Sequence, residues 1–131
     1  MDDTRSPASR VRGLGSAHEG VKHWWLQRVT ALLLIPLIVW FVIGLVVHTG
    51  ADHAAVIGWL RSPVTYGLML ILLAAAFWHG ALGLQVVIED YVHIEWRKLT
   101  LILLAKAACI GLFVAAYVSL TIIAFAGSGN G

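Results

Sequence analysis

Three apolar runs, at about 29–47, 64–88 and 99–125, carry most of the hydrophobic residues of this 131-residue chain. Each approaches or exceeds the ~20 residues that an α-helix needs to cross the hydrocarbon layer of a bilayer. Polar positions fall between and outside them. Residues 1–20 hold Gly, Ser, Pro and Arg without an apolar period, 48–63 form a short connection, 89–98 form a charged turn, and 127–131 are an uncharged tail. The pattern predicts an all-α membrane protein with three transmembrane helices. It divides into a flexible tail (1–20), a three-helix unit (21–126) and a short second tail (127–131). Three helices make a thin bundle with little interior, so partner subunits are expected.

Details within the runs refine this picture. Trp24 and Trp25 precede the first span and suit the headgroup layer, where amphipathic rings are favoured. Pro36 lies inside that span and is expected to disturb its helix. The second run exceeds the minimum length, which predicts tilt. The first run is too long for the apolar core of a secretory signal and lacks a cleavage site.

Composition and charge narrow the class. Apolar residues make up 60% of the chain and charged ones 12%, more apolar side chain than a soluble core of this size can hide. The net charge of +2 sits beside the spans and forms no patch, so nucleic acid is excluded as a partner and membrane lipid is expected. Arg10, Arg12, Lys22 and Arg28 flank the first span, and Arg97, Lys98 and Lys106 flank the second turn. The first connection has only Arg61 and the final tail has none. Positive-inside bias therefore predicts a cytoplasmic N-terminus and second turn, with the C-terminus outside. The one cysteine, Cys109, excludes an internal disulfide and a Cys-x-x-Cys-His haem attachment.

The candidate chemistry begins with His79, the one histidine deep within an apolar run. An ionisable group at that depth is costly and usually functional. Its neighbours Ala75, Ala76, Gly80 and Gly83 are small and leave room for a flat macrocycle, and neutral imidazole is a haem ligand. A structural reading stands beside this one: His79 hydrogen-bonds to a neighbouring helix and the small residues ease packing. On a helix, Asp90 lies ~16 Å from His79 along the axis and ~20° from it in rotation, so both share a face. Asp90 and Tyr91 make a polar mouth at the end of the second span. A Tyr hydroxyl donates to a carbonyl oxygen and an adjacent carboxylate relays protons, as a quinone site requires. Each residue alone is equally ordinary at a membrane interface. Arg28 suits a haem propionate or a quinone pocket, or a lipid headgroup. His23 is a weaker candidate on the same side. His48 lies at the opposite membrane face, and His18, His23, His53 and His93 lie outside the spans. Met69 stands on the same rigid helix as His79. A second axial ligand would therefore belong to another chain.

The segments His23-Trp-Trp-Leu-Gln-Arg-Val-Thr-Ala31 and His79-Gly-Ala-Leu-Gly-Leu-Gln-Val-Val-Ile-Glu-Asp-Tyr-Val92 carry a resemblance. With the three-span layout, they resemble the hydrophobic membrane-anchor subunits of succinate dehydrogenase, respiratory complex II. The resemblance implies a multi-pass protein of the bacterial inner (cytoplasmic) membrane with its C-terminus periplasmic, paired with a cytochrome b anchor subunit across a shared haem b. It implies His79 as one axial ligand to the haem iron, with the partner supplying the other. Tyr91 matches a ubiquinone-binding tyrosine, Asp90 its acidic neighbour, and Arg28 an arginine near the propionates and quinone pocket. Flavin, iron–sulfur clusters and succinate oxidation would belong to the flavoprotein and iron–sulfur subunits. Two other readings remain open: a haem-free anchor or assembly scaffold, and a small proton-coupled transporter using His79 and Asp90.

Overall fold

The computed structural model describes residues 16–126, which form four α-helices and no strand. They are α1 (Ser16–Val47), α2 (His53–Arg61), α3 (Pro63–Tyr91) and α4 (Glu95–Phe125). Residues 1–15 and 127–131 of the expected tails lie outside the described residues. Ser16–Gly20, read from sequence as tail, begin α1.

Three helices are long and apolar enough to cross a membrane: Gly20–Val47 within α1, all of α3 and all of α4, with 28, 29 and 31 residues. At ~1.5 Å per residue they reach ~42–46 Å, beyond the ~30 Å hydrocarbon layer, so their ends enter the headgroup layer or the helices tilt. α1 continues through Pro36, which has no N–H to offer the carbonyl of Leu32 one turn earlier.

α2 is the element that the pattern of apolar runs did not predict. Gly50 turns the chain with φ 81°, a conformation open to a residue without Cβ. Asp52 then caps α2, its carboxylate accepting the Ala55 N–H at 2.9 Å. Ser62 closes α2, and Pro63 starts α3 at a position where its missing N–H costs nothing. Nine residues are too few for a stable isolated helix. Support comes from side chains: the Trp59 ring stacks on His48 at 4.7 Å and meets Trp40 at 6.1 Å. The Arg61 Nε–H donates to the Ile123 carbonyl at 3.2 Å, tying α2 to the end of α4.

α3 is the central helix. It packs against both α1 and α4, which have no backbone approach to one another among the described residues. On the α4 side, Phe77 meets Phe113 edge-on at 6.2 Å, and Tyr66 lies 3.0 Å from Thr121. Thr121 already donates to the Tyr117 carbonyl at 2.8 Å, so the Tyr66 O–H is the donor to it. Very little is enclosed. Leu34, Leu37, Thr65, Ala75, Leu82 and Leu120 are buried, while Trp24, Trp25, Ile35, Trp78 and Ile110 are exposed. Lipid is as apolar as these side chains, so close fit and hydrogen bonds must hold the helices together instead.

One such fit generates a prediction. The Trp59 ring rests directly on Gly44 of α1, where an added Cβ would overlap it. Gly44→Ala should destabilise the corner by about 1–3 kcal/mol, as overpacking does. The measurement is the thermal midpoint of the purified protein with its partner subunits in mild detergent. A lowered midpoint restored by also changing Trp59→Leu is expected; no change would refute the close approach.

Candidate functional site

The stripe Thr30, Leu34, Leu37 recurs along α1 at i, i+4 and i+7, and the stripe Ala75, His79, Leu82 does the same along α3. Leu34, Leu37, Ala75 and Leu82 are buried, and Thr30 and His79 are half-buried. The stripes join where Thr30 Oγ1 lies 3.1 Å from His79 Nδ1. The Thr30 hydroxyl also lies 2.7 Å from the Leu26 carbonyl oxygen and 3.1 Å from that of Gln27. His79 makes no other hydrogen bond among the described residues. The contact to a neighbouring helix that the structural reading required is therefore present.

Beside His79, α3 carries a flat strip. Ala76, Gly80 and Gly83 are also spaced i, i+4 and i+7, and a Cβ added at Gly80 or Gly83 would meet nothing within 4 Å. Ala76 and Gly80 are exposed and Gly83 is half-buried. Asp90 lies on the same unbroken helix, so the single face shared with His79 extends to its C-terminal end. Asp90 and Tyr91 are both exposed there, Tyr91 at 80%. Neither makes a hydrogen bond within the described residues. One turn earlier, Gln85 Nε2–H donates to Glu89 at 2.8 Å, while Gln85 Oε1 is buried without a partner.

The other flank of α3 faces a cleft of about 530 Å³ between α1 and α4, lined by His23, Leu26, Phe77, Trp78, Lys106 and Phe113 among others. Ala81, also in its wall, is ~160° around the helix from His79. His23 lines this cleft, and His79 is not among its wall residues. Lys106 opens into the same cleft and makes no ion pair among the described residues. Cys109 lines it as a half-buried free thiol.

Arg28 does not join His79 in this chain. Two residues from Thr30, it is ~160° around α1 from it. Its guanidinium stands 5.1 Å from the centroid of the Trp24 ring, one turn away. The charged turn is solvated, with Lys98 and Glu95 paired at 2.9 Å across one helical turn. The described residues hold no cluster of three or more His, Cys, Asp or Glu side chains able to bind a metal ion. Any metal centre at His79 must take its remaining ligands from outside this set. Thr30 belongs to the first of the two quoted motifs, but sequence reasoning gave it no role at the site. Its signal was its place in an i, i+4, i+7 stripe with Leu34 and Leu37.

Comparison with known proteins gives a consistent result. The succinate dehydrogenase/fumarate reductase transmembrane subunit model matches residues 2–125. The chain is 33% identical over 123 residues to the succinate dehydrogenase hydrophobic membrane anchor subunit of Rickettsia bellii, covering 94% of this chain and 91% of that one. With the same subunit of Rickettsia conorii the identity is 33% over 119 residues, covering 90% and 94%. With that of Paracoccus denitrificans it is 28% over 97 residues, covering 74% and 75%.

Proposed function

The chain belongs to the succinate dehydrogenase/fumarate reductase transmembrane subunit family, and on that premise we propose a role for each polar group along its spans. As a membrane-anchor subunit it is part of an enzyme complex and works with partner subunits. In the proposed role, His79 supplies one axial ligand to a haem b shared with a cytochrome b anchor subunit. Tyr91 and Asp90 form this chain's part of a ubiquinone-reduction site. The helix ends that carry them face the cytoplasm, as the Lys and Arg distribution indicates, and receive the iron–sulfur and flavoprotein subunits.

His79 is the observation that carries this reading. It is a half-buried imidazole inside a span, with a single hydrogen bond through one ring nitrogen and a strip without bulky side chains beside it. The donor chemistry fits haem, since neutral imidazole is a common axial ligand and Gly80 and Gly83 let a planar group approach the backbone. Bound there, the haem would supply one-electron chemistry within the membrane. The remaining work belongs to the side chains. The Tyr91 hydroxyl is free to donate to a quinone carbonyl, and the Asp90 carboxylate beside it accepts and passes protons from water. Arg28 stands at the same end of α1 and can leave Trp24 for a propionate or for the quinone pocket.

The Thr30 contact favours a second reading, a haem-free anchor in which His79 serves only to bond α1 to α3. An imidazole has two nitrogens, so the two roles are compatible, and haem content separates them. His79→Ala should remove the Soret band from the complex purified with its partners. A wild-type complex without that band would establish the haem-free reading, and a variant that keeps it unchanged would rule out His79 as a ligand.

The quinone role has its own test. Tyr91→Phe should slow succinate:quinone reduction by about 2- to 10-fold, the worth of one hydrogen bond, while succinate oxidation with an artificial acceptor stays intact. Equal loss of both activities would rule out a local quinone contact.

A further inference from the structure

The hydrogen-bond inventory at Thr30 determines which nitrogen of His79 carries the proton. A threonine hydroxyl has one proton and two lone pairs. Here it faces two backbone carbonyl oxygens, Leu26 at 2.7 Å and Gln27 at 3.1 Å, and carbonyls can only accept. The proton therefore points into α1. The remaining neighbour is His79 Nδ1 at 3.1 Å, which bonds to this hydroxyl only as an N–H donor. We infer that Thr30 is a positioning residue: it holds His79 as the Nδ1–H tautomer across the α1–α3 seam and leaves the Nε2 lone pair for a metal. This deepens the haem reading of His79 and rests on it.

Three features make the arrangement effective. Thr30 is anchored to its own helix, so the acceptor does not move with the imidazole. The contact lies within a span, away from the water that would compete for Nδ1–H, and there a hydrogen bond is stronger than at a surface. The bond also fixes the ring's rotation about its Cβ, because the second atom it needs lies on another helix. Metal-bound histidines commonly donate their other N–H to an acceptor of this kind, which raises ligand basicity.

The test uses the assembled complex with Thr30→Val, which keeps the shape but removes the acceptor, and Thr30→Ser, which keeps the hydroxyl. His79→Ala is the reference. Two readouts are needed: the rate of haem transfer to apomyoglobin and the haem midpoint potential from a redox titration. Thr30→Val should release haem about 10- to 100-fold faster and raise the potential, because a less basic ligand stabilises the ferric iron less. Thr30→Ser should stay within about twofold of wild type in release, with an unchanged potential. If Thr30→Val matches wild type in both readouts, or Thr30→Ser is as impaired as Thr30→Val, the positioning role is overturned. If His79→Ala keeps its haem, the underlying haem reading fails instead.

Discussion

A polar side chain inside a bilayer has no water to turn to, so it must find its hydrogen bond within protein or remain a costly defect. This constraint decides where the spans of this chain are joined. α1 meets α3 through Thr30 and His79, and α3 meets α4 through Tyr66 and Thr121. At both seams a threonine sends its own proton to a carbonyl of its own helix and accepts from an aromatic ring group of the next. Side-chain hydroxyls thereby become fixed acceptors at chosen depths. Apolar attraction does little of this work, because lipid tails solvate leucine and isoleucine as well as another helix does.

α1 and α4 pack on separate parts of α3 without approaching each other, and α2 also touches it, which leaves two less covered flanks between α1 and α4. One open flank is the apolar cleft with His23 and Lys106 at its edges. The other runs from the border at His79, along Ala76, Gly80 and Gly83, to Asp90 at the helix end. The second flank brings together an imidazole within a span, a strip of small residues and a carboxylate at the helix end.

Much of this was legible in the chain. The spans announce themselves as apolar runs too long for anything else, and a histidine within one is conspicuous by its cost. Helical arithmetic also placed Asp90 on the face of His79, because α3 proved continuous from Pro63 to Tyr91. Two other features were not legible. α2 depends on Trp59 finding Gly44, a contact between residues far apart in sequence that hydropathy does not register. The Thr30–His79 bond crosses 49 positions of sequence, and nothing local to either residue points to the other. Arg28 shows the converse. Near Thr30 in sequence, it turns to Trp24, because two helical steps separate residues by more than a right angle.

The shallow interior of this chain has a consequence for its life in the cell. No large side chain is fully enclosed among the described residues, and the few buried leucines sit beneath a single layer of helix. A copy inserted ahead of its neighbours has little to resist local opening, and open helices in a bilayer are what quality-control proteases seize. Packing against partner subunits would cover the exposed faces of such a copy, so the stability of this chain is tied to assembly and not to its own fold.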